Sequence, residues 1–197
     1  MIQRRAPGAA RERVLAAALE LFARHGVHGT SLQMIADEMG VTKAAVYHQF
    51  PAKDEIVRAV IAPALDRLAE ITAVAERQRS RSARAEVVLA GIVDLVVDNR
   101  HLTTVLRSDP AIVEMLRETP GMRDVEERVF ELLAGPDPTP EIFVATIMVS
   151  GGLMSAATGP TLAGLDDATL RRHLLGNAHR LLRLRPPADP PPPLARG

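Results

Sequence analysis

The 197-residue chain contains no cysteine and no tryptophan, a single tyrosine, four phenylalanines and only two lysines, Lys43 and Lys53. Without cysteine there is no disulfide, no thiolate zinc site and no thiol nucleophile, and the composition suits a reducing cytosol. No apolar run of signal-peptide type opens the chain, because Arg4, Arg5, Arg11, Glu12 and Arg13 interrupt everything before Val14. An excess of one charge is also missing. Twenty-four Lys/Arg face 24 Asp/Glu, so the molecule as a whole has no bias toward nucleic acid or anionic membrane. The distribution is uneven, with eight basic against six acidic residues up to Arg58 and 16 against 18 beyond it. Catalytic signatures are lacking: there is no Gly-x-Ser-x-Gly turn, phosphate loop or His-Glu-x-x-His. His25 and His28 stand at i and i+3, but no cysteine or third ligand accompanies them. Neither an enzyme nor a metal or other cofactor is therefore expected.

What is present is helical periodicity, with no strand-like alternation to compete with it, so the fold class is all-α. A first helix runs from about Ala10 to His25 and Gly26 stops it. Thr30 with Gln33 fits a capping box for a second, in which Leu32, Ile35, Ala36 and Met39 share one face up to Gly40. Thr42 caps a short third helix that ends near Gln49, before Phe50-Pro51. A long helix follows from Lys53 or Asp54 to Glu76, with Pro63 expected to kink it. After a polar interval over 77–84 comes a helix near Ala85–Asn99, so apolar that it must be nearly surrounded by protein. Pieces over about 101–108, 110–118 and 121–134 lead to two long helices, about 140–157 and 166–185, the last capped by Asp166. The charge-free stretch Ile142–Leu165 is long enough to span a bilayer. Four glycines, Ser150, Ser155 and Gly159-Pro160, with no Trp, Tyr or Lys anchors, argue instead for a helix buried on most sides and for no membrane partner. Residues 186–197, "PPADPPPPLARG", read as a proline-rich disordered tail, and residues 1–9 as a basic flexible arm.

The second and third helices, joined by Met39-Gly40-Val41, make a helix-turn-helix, with Ala36 small enough for a close crossing. Val41, Ala45, Val46 and Phe50 form the inward side of the third helix. Thr42, Lys43, Ala44, Tyr47 and His48 then face outward, where a DNA major groove would lie. Lys43 can meet guanine or phosphate and the Ala44 methyl a thymine methyl, while Tyr47 and His48 reach phosphate. Thr30, Ser31 and Gln33 at the head of the second helix, and Lys53 at the head of the fourth, would contact the backbone on either flank. That grouping accounts for why both lysines and the tyrosine lie so close together.

The segment "VLAAALELFARHGVHGTSLQMIADEMGVTKAAVYHQFPAKDEIV" resembles the DNA-binding domain of the TetR family of transcriptional regulators over about Arg11–Val60. The matching features are a Gly-x-x-x-Thr approach to the second helix, Ile-Ala and Gly-Val around the turn, Tyr-His-x-Phe, and a lysine opening the fourth helix. The resemblance implies about nine helices: a helix-turn-helix domain over 10–55, then a ligand-binding and dimerisation domain over 56–185. It also implies a ligand-responsive repressor that binds a palindromic double-stranded operator as a cytoplasmic homodimer and is released by a small molecule. A helical ligand-binding dimer without DNA binding is the alternative. Candidate effector-lining residues are Leu65, Leu89, Ile92, Val93, Val96, Leu106, Met115, Met122, Phe130, Ile147 and Met148, all of which suit an ordinary core equally well. With few aromatics among them, an apolar, flexible effector fits best. Asp94, inside "GIVDLVV", would need a partner if buried and could then meet a cationic ligand; otherwise it faces solvent. The dimer would form through the last two long helices, at Ser150, Gly151, Gly152 and Ser155 and the leucines Leu170, Leu174 and Leu181.

Overall fold

The computed structural model describes residues 8–108, 112, 115, 118, 121–162 and 164–184. The expected basic arm up to residue 7, most of the expected helix over 110–118 and the proline-rich tail lie outside the described residues. Among the described residues there are nine α-helices, one 3-10 turn (Pro160–Leu162) and no strand. The helices are α1 (Ala9–His25), α2 (Leu32–Met39), α3 (Lys43–Gln49), α4 (Lys53–Glu76), α5 (Arg81–Asp98), α6 (Arg100–Ser108), α7 (Met122–Ala134), α8 (Pro140–Thr158) and α9 (Asp167–Leu182).

Local chemistry fixes most helix ends. Gly40 takes the left-handed conformation, φ 64° and ψ 37°, that lets the chain turn sharply between α2 and α3. Ser31, not Thr30, is the N-cap of α2: its Oγ accepts from the Met34 amide at 3.2 Å. The capping box drawn from Thr30 and Gln33 is therefore incorrect. Thr30 is buried, and its hydroxyl donates to the Gly26 carbonyl at 2.8 Å. Ser80 caps α5 by accepting from the Ala83 amide, so this helix begins four residues before the expected Ala85. Asp166 caps α9 by accepting from the Thr169 amide at 2.9 Å. That backbone bond, followed by one from the Thr169 hydroxyl, holds the Asp166 carboxyl below the usual carboxylate range.

Two apolar clusters organise the chain. The first joins Val14, Ala18, Leu21 and Phe22 of α1 to Ile35 and Ala36 of α2, Val46 and Phe50, and the first half of α4 through Ile56, Val57 and Ile61. Leu102 and Val105 of α6 belong to it as well. The second gathers the end of α4, α5, α7, α8 and α9 around Ile71, Leu89, Val93, Leu133, Val149 and Leu170. Thus α4 runs through both clusters, with Pro63 exposed inside it. Where α4 crosses α5, Gly91 permits the approach: a Cβ there would stand 2.7 Å from Cγ1 of fully buried Ile71.

The expectation that the charge-free segment is buried on most sides does not hold. Helix α8 buries one stripe, Ala145, Thr146, Val149, Leu153 and Ala157, and leaves Phe143, Val144, Ile147 and Met148 exposed. By length and composition alone α8 could cross a membrane, but its buried stripe is part of the second cluster, packed on α5, α7 and α9.

Candidate nucleic-acid interface

Helix α3 is too short to be stable alone, and tertiary anchoring holds it. Val46 and Phe50 are both 0% exposed in the first cluster, which fixes the helix rotation against α1 and α2. Positions 43, 44, 47 and 48 share the opposite face. Lys43, Ala44, Tyr47 and His48 are all exposed there, Tyr47 at 56% despite its size. Ala45, expected inward, is exposed too, because Val46 and Phe50 suffice to seat so short a helix.

Thr42 is the α3 N-cap and Ser31 the α2 N-cap, and both are exposed. Each hydroxyl oxygen accepts from a helix amide, at 3.3 Å from Ala45 and 3.2 Å from Met34. Its own hydrogen is left to donate outward, for instance to a phosphate oxygen. Gln33 is exposed, with Nε2 donating to Asp37 at 2.7 Å, so its side-chain carbonyl stays available. His48 is exposed and lies 3.4 Å from the Gln49 amide through Nδ1. These seven side chains, Ser31, Gln33, Thr42, Lys43, Ala44, Tyr47 and His48, are brought to the surface by α2 and α3.

Two expected members of the face are placed differently. The Thr30 side chain is internal, as described above. Lys53 is half-buried, and its Nζ donates to the carbonyls of Val27 at 2.7 Å and Thr30 at 3.1 Å, so it points into the α1–α2 loop. Two arginines that pattern reading did not assign also join the unit. Arg11 lies 4.1 Å above the Phe50 ring and donates to the Gln49 carbonyl at 3.4 Å. Arg13 reaches the Met39 carbonyl at 3.5 Å, the outer limit of hydrogen bonding. Both bring a cation to the carbonyl end of a recognition-unit helix, where the helix dipole favours it. Their charge was legible in the sequence; the carbonyls they find across the fold were not.

Elsewhere the candidate residues separate into distinct environments. Leu65, Leu106, Met115 and Met122 are half-buried against the first cluster, whereas Leu89 and Val93 are fully packed inside the second with Ile92 beside them. Val96 is 8% exposed, and half-buried Phe130 meets Phe143 edge-on at 5.0 Å. Ile147 and Met148, expected to face inward, are 54% and 56% exposed on α8, so neither lines the protomer interior. Ser150, Gly151, Gly152 and Ser155 share the exposed side of α8, and a Cβ on either glycine would meet open space. Leu170 and Leu174, assigned to the dimer surface, are instead core residues at 1% and 7% exposure; Leu181 is exposed at 44%. Asp94 accepts from Arg171 Nε at 3.0 Å, and the same guanidinium reaches Asp98, so the carboxylate is paired within the protomer.

The chain resembles known proteins in sequence and in fold. Residues 14–60 match the model of bacterial regulatory proteins of the tetR family. The HTH-type transcriptional regulator RutR of Escherichia coli (strain K12) is 40% identical over 62 residues, 32% of this chain and 29% of RutR. The chain thus spans less than a third of that relative's length. The structure of the ketosteroid transcriptional regulator KstR2 of Mycobacterium tuberculosis superposes with a TM-score of 0.70 at 16% identity, covering 90% of this chain and 95% of that one. The transcriptional regulator FadR from Bacillus subtilis, in complex with stearoyl-CoA, superposes with a TM-score of 0.59 at 15% identity, over 85% and 96% of the two chains. At such identities the likeness is one of fold, and it covers most of both chains.

Proposed function

We propose that this chain, whose residues 14–60 form an N-terminal domain of the tetR family of bacterial regulatory proteins, is a DNA-binding transcriptional repressor that reads a two-fold operator as a cytoplasmic homodimer. One observation carries the reading: Lys43, Ala44, Tyr47 and His48 form an exposed face on a helix that Val46 and Phe50 seat in the core. Lys43 supplies a cation for a guanine edge or phosphate, Ala44 a methyl-sized contact, and Tyr47 and His48 donors for the backbone. Ser31 and Thr42 offer their hydroxyl hydrogens on the flanks.

The second protomer follows from α8. An exposed apolar face rimmed by polar residues is an association surface more often than a solvated one. Phe143, Val144, Ile147 and Met148 form such a face, with Gly151 and Gly152 allowing close helix approach, and Leu181 is exposed on α9. A two-fold pair places two α3 helices on successive turns of one duplex side.

Release by a small molecule completes the reading. Helix α4 passes through both clusters, so a ligand that favours one packing of α4 and α6 against the first cluster shifts the seat of α3. The half-buried set Leu65, Leu106, Met115 and Met122 is apolar and adaptable, which suits an apolar effector, as does a fold neighbour solved with an acyl-CoA. By linkage the effector binds the DNA-free form more tightly by the factor it weakens DNA, typically about 5- to 150-fold.

The test is selection of duplexes from a randomised pool by the full-length protein, with sedimentation of the complex. Recovery of an inverted repeat bound by two protomers, with affinity falling steeply as salt rises, supports the proposal. A protein that dimerises yet enriches no duplex would instead be a helical ligand-binding dimer.

A further inference from the structure

The geometry points to Lys53 as a positioning residue: its ammonium ties the first turn of α4 to the loop that leads into α2, instead of serving as a phosphate contact. The inference deepens the DNA-binding reading and rests on it only for its DNA measurements. Between Gly26 and Ser31 the chain must leave α1, turn and enter α2, and its buried carbonyls each need a donor. The Gly26 carbonyl takes the Thr30 hydroxyl at 2.8 Å. The Val27 carbonyl takes Lys53 Nζ at 2.7 Å as well as the Thr30 amide at 3.3 Å. The Thr30 carbonyl takes Lys53 Nζ at 3.1 Å. Val27 and Thr30 are 6% and 2% exposed, so no water replaces these donors without opening the loop. Gly29 is tight in the same turn, since a Cβ there would stand 2.3 Å from the His25 carbonyl oxygen.

One nitrogen serving two carbonyls explains the residue type. The chain otherwise uses arginine for 22 of its 24 cations. A guanidinium is a planar fork, whereas an ammonium is a point charge with three rotatable donors that can sit between two oxygens. Two of those three donors point inward here. The Thr30 carbonyl immediately precedes Ser31, the N-cap of α2, so the contact sets where the recognition unit begins. Because α4 continues into the second cluster, Lys53 also carries any displacement of α4 to the reading head.

The experiment compares Lys53→Met, Lys53→Arg and Lys43→Met in the full-length protein. In the absence of DNA, amide hydrogen exchange over residues 27–34 is expected to quicken roughly tenfold or more in K53M and K53R, and to stay unchanged in K43M. On a duplex selected by the wild-type protein, K53M is expected to lose about tenfold in affinity while the slope of log affinity against log salt stays unchanged; a cation that neutralised a phosphate would, on removal, flatten that slope by about 0.9. K53R, which keeps the charge but not the compact ammonium, still provides the exchange readout should K53M not fold. Unchanged loop exchange in both Lys53 variants, or a flattened salt slope in K53M, overturns the inference. Failure of the wild type to select any duplex overturns the DNA-binding reading, and the exchange measurement still decides the role of Lys53.

Discussion

Gly91→Ala is the sharpest probe of how α4 is fixed. Gly91 is buried in α5, and a methyl there would lie 2.7 Å from Cγ1, 2.8 Å from Cδ1 and 2.8 Å from Cγ2 of Ile71, which is 0% exposed. Two effects favour alanine: helix propensity, by about 1 kcal/mol, and burial of a methyl, by about 0.8 kcal/mol. Against them stands overpacking. Carbon atoms rest about 3.5–4.0 Å apart, so the two helices must separate by roughly 1 Å. No single torsion relieves all three clashes, because Cγ1 and Cγ2 branch from one Cβ. The strain therefore falls at or beyond the upper end of the usual ~1–3 kcal/mol for inserted methylenes, and the net effect is a destabilisation of about 1–2 kcal/mol. Gly176→Ala is the control: in α9 the nearest atom to a new Cβ is Arg180 Nη1 at 3.9 Å, an ordinary contact. That variant is expected to gain up to about 1 kcal/mol. Urea unfolding followed by circular dichroism at fixed protein concentration measures both. Ile71→Ala alone should cost about 2–5 kcal/mol, yet less in the Gly91→Ala background, where the new methyl occupies the vacated space. A Gly91→Ala protein as stable as Gly176→Ala, or strictly additive costs in the double variant, would refute the crossing as described.

Other expectations follow from the surfaces and caps. Lys43→Ala and Tyr47→Phe should weaken binding to a selected duplex, Lys43→Ala by about 1–3 kcal/mol if it reads a base, while leaving the unfolding midpoint within about 0.5 kcal/mol of wild type; equal losses of stability would make both residues structural. Ile147→Glu, on the exposed apolar face of α8, should shift sedimentation from dimer to monomer without unfolding the protomer, and a dimer unaffected by it would move the interface elsewhere. Asp166→Ala should lower stability at neutral pH. The carboxyl is held below its ordinary range, chiefly by the Thr169 amide, so its contribution is present above the unfolded carboxylate pKa and is lost as pH falls through the lower folded value. Denaturation curves of wild type and variant should therefore converge in acid, and a gap that persists there would mean the cap does not act through the ionised carboxylate.

Much of the fold was legible because the signals were local. Glycine at 26 and 40, the caps Thr42 and Asp166, and the 3.6-residue period of α1 and α2 are each decided within a turn of chain. The outward set on α3 could be read for the same reason, since Val46 and Phe50 are its only large apolar anchors. What escaped were choices between neighbours with equal local credentials. Ser31 and Thr30 both suit an N-cap, and tertiary burial decided: Thr30 points into the Gly26 turn, leaving Ser31 the role. Lys53 at the head of a helix looks like a phosphate contact until the two carbonyls 26 and 23 residues earlier in the chain are in place beside it.

Leu170 and Leu174 of α9, Ile147 and Met148 of α8, and the expected burial of α8 were misread for a different physical reason, and it bears on function. Along α9 the leucines do form a stripe, but Leu170, Leu174 and Leu182 close the protomer's own core, so a clear stripe marked the interior and not the partner. Helix α8 has no stripe to read: its apolar residues go all the way round, which in a single chain implies burial on every side. Only half of that burial exists within the protomer. The remainder, Phe143, Val144, Ile147 and Met148 beside two open glycines, is the apolar surface that a second protomer would cover. Hydrophobicity around the whole of α8 combined with one-sided packing leaves an apolar surface on the single chain, and the two-fold copy proposed above would cover it.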